Sequence, residues 1–149
     1  ATMIPALQLI GNWAQAHAAQ LTVTKLYWST GFLSGVLDNA PTYLNFMVGV
    51  CGKFSVEAGN LAQVQSLAGG LTSPVPGDAD SRLYLMAVSL AAVFFGALTY
   101  IGNAPNFLVR NIAAQTGTEV PGFVEYVVRF SVPVLMPLLI LIWLVLFNR

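Results

Sequence analysis

The chain has 149 residues, of which 56% are hydrophobic and only 8% are charged, and its formal net charge is zero. Soluble domains carry about 25% charged residues, so this composition indicates a chain that lies in a lipid bilayer. Six basic residues without a basic patch exclude a nucleic-acid partner, and a single cysteine, Cys51, excludes a disulfide within the chain.

The N-terminal sequence is not that of a signal peptide. It begins Ala1-Thr2-Met3-Ile4-Pro5, without an initiator methionine or a basic stretch before an apolar core. We expect residues 1–149 to be the C-terminal part of one longer transmembrane domain. Residues 1–12 would then be the tail of a membrane span and residues 13–25 an interfacial stretch, in which His17 has no His or Cys neighbour for a metal site.

Residues 26–52 form a long apolar segment with the polar sequence Asp-Asn-Ala-Pro-Thr near its centre, and Tyr27 and Trp28 at its start fit an aromatic belt. A single span is possible. The break favours a re-entrant hairpin with arms of roughly 26–37 and 42–54. Each arm would be about 18–20 Å long, too short to cross a core of about 30 Å, so both ends would lie on one side of the membrane.

The segment from 55 to 82 is polar, and we predict an extramembrane loop with a short helix over 55–68. Asp80 or Ser81 is placed to cap the next helix. Residues 83–115 form a second apolar segment, which the sequence Gly-Asn-Ala-Pro-Asn divides into predicted helices at roughly 83–100 and 106–115, with Arg110 near the far interface.

Residues 124–147 are the last predicted span. Pro133 and Pro137 should kink it, while Glu125 and Arg129, four residues apart, should pair at its start. The apolar neighbours of both prolines are typical of lipid-facing scaffold, and Trp143 is expected to anchor the span at the interface.

Both apolar segments that carry a break contain the tripeptide Asn-Ala-Pro, at 39–41 and at 103–105. Proline lacks a backbone donor and disrupts the interior of a helix. Unpaired backbone groups are costly in hydrocarbon and occur only where they are buried in protein or line a wet cavity. Two broken segments in one membrane chain are therefore the strongest sequence indication of a transporter's binding site.

Asp38 is the only carboxylate in the middle of an apolar segment, which is typical of an ion pathway or a proton relay. Capping the second hairpin arm is the plainer explanation, and the two are compatible. Ser34 precedes Asp38 by four residues, and we therefore expect the two side chains on the same helical face. Thr99 and Asn106 are equally well explained as helix caps.

Hard cations prefer carbonyl, hydroxyl and carboxylate oxygens, and the two breaks are rich in these groups. Asp38, Asn39 and Asn103 are the proposed side chains for Na⁺. The full set of candidate ion- and substrate-binding residues is Ser34, Asp38, Asn39, Pro41, Thr42, Thr99, Gly102, Asn103, Pro105 and Asn106.

The groups that intramembrane enzymes require are missing from the sequence. An aspartyl protease needs a second intramembrane aspartate besides Asp38, and a metalloprotease needs the HExxH motif, whereas this chain has one His. No base accompanies Ser34. We therefore do not expect an enzyme.

The sequences SGVLDNAPTY (34–43) and GALTYIGNAPNF (96–107) resemble the ion transporter superfamily, which includes NhaD-type sodium:proton antiporters, arsenite permeases and citrate transporters. The resemblance implies an all-α polytopic membrane protein with two inverted repeats. Here residues 26–54 would be the re-entrant hairpin of the second repeat, 83–115 its broken helix and 124–147 the last span. It also implies a homodimer, with the first repeat supplied by the same protein.

The hairpin tip departs from the dicarboxylate symporters of this superfamily, which carry a Ser-Asn-Thr pattern there. A carboxylate at the tip favours a cation or proton site, so we expect Na⁺/H⁺ antiport in which Asp38 binds Na⁺ when ionised and H⁺ when neutral. Sodium-coupled transport of citrate or another organic anion is the alternative, and an oxyanion such as arsenite is also compatible. We expect a bacterial inner-membrane location, surrounding lipid, and no cofactor besides Na⁺.

Overall fold

The computed structural model describes residues 3–147, and within them all regular secondary structure is helical, as expected. The α-helices are α1 (Met3–Ala16), α2 (Val23–Ser34), α3 (Asn39–Lys53), α4 (Leu61–Gly70), α5 (Ser81–Phe94), α6 (Ala104–Gln115), α7 (Phe123–Tyr126) and α8 (Met136–Leu146). Short 3₁₀ turns occupy Ala18–Gln20 and Phe95–Leu98, and a π-helical stretch, Val127–Leu135, joins α7 to α8.

Helices α2 and α3 form a helical hairpin. The side chain of Thr22 caps α2 and the carboxylate of Asp38 caps α3, so both helices begin three residues earlier than the predicted arms. The end of α3 lies beside the start of α2, because the Lys53 ammonium donates to the Leu21 carbonyl at 2.9 Å. With 12 and 15 residues, the arms are about 18 and 22 Å long.

The sequence placed each Asn-Ala-Pro tripeptide in the middle of a break, whereas in the structure each tripeptide lies at the junction between a break and the helix that follows it. The first break spans residues 35–38 and the second spans 99–103. Pro41 is the third residue of α3, and Pro105 is the second residue of α6. In the first turn of a helix the missing N–H of proline has no intrahelical partner to lose, so proline is well tolerated there.

Two helical stretches are long and apolar enough to cross a membrane within the part of the chain that the structure describes. The first, Ser81–Leu98, has a mean hydropathy of 1.7 and combines α5 with the following 3₁₀ turn. Asp80 caps it by accepting the backbone N–H of Arg82 at 3.0 Å, which confirms one of the two predicted caps. Ser81 is instead buried and accepts the N–H of Leu71.

The second, Phe123–Leu146, has 24 residues and a mean hydropathy of 2.2. Pro133 lies within its π-helical stretch, where wider turns relieve the clash between the proline ring and the preceding turn. Pro137 follows the π-helical stretch as the second residue of α8. The predicted Glu125–Arg129 pair forms at 3.4 Å. Most of this helix is exposed in the structure.

The last helix is hydrogen-bonded to both broken elements. Tyr27 of α2 donates to the Leu139 carbonyl at 2.9 Å, and the Trp143 indole donates to Thr24 at 3.2 Å. Tyr126 donates to the Ala97 carbonyl at 2.9 Å, and Ser131 donates to the Leu98 carbonyl at 2.7 Å. Tyr27 is therefore fully buried in the core rather than part of an interfacial belt, and Trp143 anchors α8 to α2.

Helix α1 covers residues 3–12 of the predicted apolar tail and the first four residues of the predicted interfacial stretch, 13–16, and it packs along α3. Its exposed Trp13 ring stacks on His17, with ring centroids 4.8 Å apart. The predicted loop helix over 55–68 lies later in the chain, as α4.

A buried lysine fixes the base of the hairpin. Lys53 donates to the Ala18 carbonyl at 2.6 Å and pairs with Asp78 at 2.7 Å, while the Tyr84 hydroxyl lies 2.7 Å from the same carboxylate. Burial of the Asp78 carboxylate raises its pKa. The hydrogen bonds from Lys53 and Tyr84 outweigh this effect and hold the pKa of Asp78 below its ordinary value. The polar segment 55–82 is therefore packed against the hairpin at Asp78.

Candidate functional site

The two breaks are in direct contact, although 60 or so residues separate them in sequence. Thr99, the first residue of the second break, donates its hydroxyl to the Gly35 carbonyl of the first break at 2.6 Å. The same hydroxyl accepts the N–H groups of Ile101 and Gly102 at 3.1 and 3.0 Å. Backbone groups in the two breaks lack the partners that a continuous helix would provide. The Thr99 hydroxyl supplies a partner for one carbonyl of the first break and for two N–H groups of the second.

The Asn39 side chain makes the second link between the breaks. Its amide nitrogen faces the carbonyls of Gly102 and Ala92 at 2.7 and 3.0 Å, an orientation favoured because the reverse would turn the amide oxygen toward these acceptors. Ser34, fully buried, donates to Ala92 at 2.6 Å and lies 2.7 Å from the Asn39 amide. Polar groups left by the breaks therefore pair with one another rather than remain unpaired.

This contact requires glycine at two positions. A Cβ atom on Gly96 would overlap the Asn39 amide, and a Cβ atom on Gly102 would overlap the Ser34 and Gly35 carbonyls. The hairpin tip therefore approaches the broken segment at backbone distance, which only glycine permits.

Asp38 lies at the hairpin tip with an exposed side chain. One carboxylate oxygen accepts the Asn39 N–H at 3.0 Å, and the Asp38 carbonyl accepts the hydroxyl of the buried Thr42 at 2.9 Å. The idea that Ser34 and Asp38 share a helical face is wrong, because α2 ends at Ser34 and Asp38 belongs to the start of α3.

Helices α3 and α6 begin side by side. Asn39 is the first residue of α3, and its amide reaches Gly102, which directly precedes the N-cap residue of α6, Asn103. The Asn103 side chain makes no capping bond, so its amide is open to a ligand. Pro41 and Pro105 lie exposed in the two first turns and shape them without offering a polar group.

Asn106 lies apart from this contact. It is half-buried in the first turn of α6 and lines a cavity of about 290 Å³ together with Tyr100 and Arg110. The predicted capping roles of Thr99 and Asn106 are not seen, since Thr99 bonds the two breaks and the N-cap position of α6 is Asn103, whose side chain makes no capping bond.

Three groups at the site escaped the sequence reasoning: the carbonyls of Gly35 and Ala92, and the side chain of Arg110. Backbone carbonyls carry no sequence signal. Arg110 does carry one, because it follows Asn106 by four residues and therefore shares its helical face.

The site offers oxygen ligands rather than a conventional metal cluster. No group of three or more His, Cys, Asp and Glu side chains comes together in residues 3–147. Of the three side chains proposed for Na⁺, Asn39 is engaged with protein carbonyls, while the Asp38 carboxylate and the Asn103 amide keep free acceptors. Both residues lie where a helix begins, and a helix N-terminus also favours anions.

Comparison with known proteins adds a family to this geometry. A family model described as "Putative citrate transport" matches residues 1–147. Neither the curated proteins nor the solved structures gave a significant match. The match agrees with the superfamily resemblance of the two motif regions, and it concerns a transport family rather than an enzyme class. Together with the two apolar helices it indicates an integral membrane protein. The chain belongs to the putative citrate transport family.

Proposed function

We propose that this chain forms the ion- and substrate-binding part of a secondary active transporter that moves citrate, or a closely related organic anion, together with a cation. The observation that carries the proposal is the contact between the two breaks, which brings the starts of α3 and α6 together. Broken helices that meet in this way are the usual construction of transporter binding sites. The family match supplies the class of substrate.

The helix lengths support a particular arrangement in the membrane. Arms of about 18 and 22 Å do not cross a hydrocarbon core of about 30 Å, so α2 and α3 form a re-entrant hairpin with its tip inside the bilayer. Residues 83–115 and 124–147 then complete part of the second repeat. The first repeat comes from the same protein, which is a homodimer in the bacterial inner membrane.

The two ligands use different groups of the site. The Asp38 carboxylate and the Asn103 side-chain oxygen bind Na⁺, since both are hard oxygen ligands with acceptor capacity to spare. The positive N-terminal ends of the α3 and α6 dipoles attract a carboxylate of the substrate. Binding of the cation reduces the repulsion between Asp38 and the anion, which couples the two events.

Na⁺/H⁺ antiport is the second candidate, and one observation favours it. The Asp38 side chain is exposed at the tip and holds only one recorded hydrogen bond, to the Asn39 N–H. Such a carboxylate can exchange Na⁺ for H⁺ without any organic substrate.

The test is uptake of radiolabelled citrate by the full-length protein in proteoliposomes, with Na⁺, K⁺ or a pH gradient as the driving force. We expect Na⁺-dependent uptake that Asp38→Asn abolishes and that Glu57→Gln, a change of an exposed loop carboxylate, leaves intact. A pH gradient that collapses on adding Na⁺ or Li⁺, without citrate uptake, would establish antiport. Arsenite is included as a third substrate. Absence of all three activities would refute a transport role for this site.

A further inference from the structure

We propose that Arg110 binds a carboxylate of the transported anion, in the cavity of about 290 Å³ that lies between the second break, α6 and the start of the last helix. This inference rests on the proposed function and adds a residue for substrate recognition to it. The walls include Tyr100, Asn106, Val120 and Tyr126 beside Arg110, and no acidic side chain lines the cavity.

Arg110 has no anionic partner among residues 3–147. The two ion pairs of the described chain are Lys53–Asp78 and Arg129–Glu125, and neither involves Arg110. Its Nε atom is buried without a hydrogen bond. A buried guanidinium donor with no acceptor is unfavourable, and a carboxylate in the cavity would supply the missing acceptor.

The surroundings hold Arg110 in place without neutralising it. Its guanidinium lies over the Tyr100 ring, 5.2 Å from the centroid, as in a cation–π contact. Tyr100 stacks on Tyr126 at 4.3 Å, and Tyr126 donates to the Ala97 carbonyl at 2.9 Å. The guanidinium is therefore oriented by side chains that are themselves fixed, which lowers the entropy lost on binding a ligand.

The cavity suits a carboxylate in chemistry and in position. The guanidinium fork matches the two oxygens of a carboxylate, and Asn106, one turn earlier on α6, offers amide donors on the same helical face. Tyr100 belongs to the second break, so the cavity adjoins the contact between Thr99 and Gly35. Its volume is close to the roughly 300 Å³ at which sites for small ligands begin.

The experiment measures citrate uptake in proteoliposomes for Arg110→Gln and Arg110→Lys of the full-length protein. Arg129→Gln is the matched control, because Arg129 is exposed and already paired with Glu125. We expect Arg110→Gln to raise the KM for citrate about tenfold or more, as for the loss of a charge-assisted hydrogen bond, with a smaller effect on the maximal rate. Arg110→Lys should raise KM less, and Arg129→Gln should not change it.

A second readout separates ligand binding from folding. Citrate should raise the unfolding temperature of the detergent-solubilised wild-type protein and of Arg129→Gln, but not that of Arg110→Gln. Unchanged KM and an unchanged thermal shift in Arg110→Gln, with normal wild-type uptake, would overturn the inference and leave the proposed function standing. If Arg110→Gln does not fold, Arg110→Lys decides: a raised KM supports the inference and an unchanged KM overturns it. If the wild-type protein takes up no citrate, the transport proposal fails first and this inference fails with it.

Discussion

Gly96 lies directly against the Asn39 side chain, and this packing leaves no room for a methyl group. We expect Gly96→Ala to lower the free energy of unfolding by about 1–3 kcal/mol, as for overpacking in a close-packed interior, and to abolish transport by separating the two breaks. Thermal unfolding and citrate uptake measure the two effects. Gly69→Ala is the matched control, because nothing lies within 4 Å of the added Cβ atom. Equal stability and activity in both variants would contradict the contact described here.

Asp78 makes stability depend on pH in the acidic range. Its pKa is lowered in the folded protein by Lys53 and Tyr84, against the opposing effect of burial. A lowered folded-state pKa gives stability that is present above the ordinary aspartate pKa and is lost as the pH falls through the folded value. We expect the unfolding temperature of the wild-type protein to fall below about pH 4, and to fall less steeply in Asp78→Asn.

The same variant tests the ion pair near neutral pH. Asp78→Asn removes the carboxylate that pairs with the buried Lys53 ammonium and leaves it with uncharged partners, the Ala18 and Leu21 carbonyls and the Tyr84 ring, which should cost about 3 kcal/mol. Glu57→Gln changes an exposed carboxylate and serves as the control, with no expected change. Parallel acid curves for Asp78→Asn and the wild-type protein would contradict a special role for this carboxylate.

Single residues also show how far the sequence could lead. Asp38 and Asp80 were recognisable as helix caps because capping depends on neighbours in the sequence. The bond between Ser34 and Ala92 was not, since 58 residues separate its partners. The burial of Lys53 was not recognisable either, because a lone lysine is ordinarily exposed and only the fold brings Ala18, Leu21 and Asp78 around it.

At the level of helices, the two interruptions are held by hydrogen bonds and not by proline. Pro41 and Pro105 lie in the first turns of α3 and α6, where their missing N–H groups are not needed. We expect Pro41→Ala and Pro105→Ala to change the free energy of unfolding by less than about 1 kcal/mol and to leave the helical content by circular dichroism unchanged. Thr99→Val, which removes the bond to Gly35, should cost more. A gain in helical content on replacing either proline would show that the breaks depend on proline after all.

The existence of both broken elements followed from their polar residues, but their boundaries did not. The sequence placed each break at its Asn-Ala-Pro tripeptide, because proline and asparagine disrupt a helix interior. In the structure each interruption comes earlier, in residues 35–38 and 99–103, and the tripeptides start the next helix. Whether proline ends a helix or begins one depends on which neighbouring backbone groups find tertiary partners, which no local pattern shows.

For the whole molecule, composition was enough to indicate a membrane protein and the family resemblance implied an all-α fold, and the family match and the helical structure agree with both. The packing of the last helix could not be anticipated, because it depends on bonds such as those from Tyr27 to Leu139 and from Trp143 to Thr24. These bonds tie the exposed last helix to the hairpin, so we expect the two to move as one unit in the proposed transport cycle.

The short arms of the hairpin have an electrical consequence in the proposed membrane arrangement. With α2 about 18 Å and α3 about 22 Å long, the tip lies inside a hydrocarbon core of about 30 Å. A cation that reaches Asp38 from the face opposite the arm ends crosses about a third of that core. Moving one charge through the full membrane potential corresponds to about 2.3 kcal/mol per 100 mV, so this partial entry corresponds to roughly 0.8 kcal/mol. Voltage therefore acts on binding itself, and with opposite sign on the cation and on citrate.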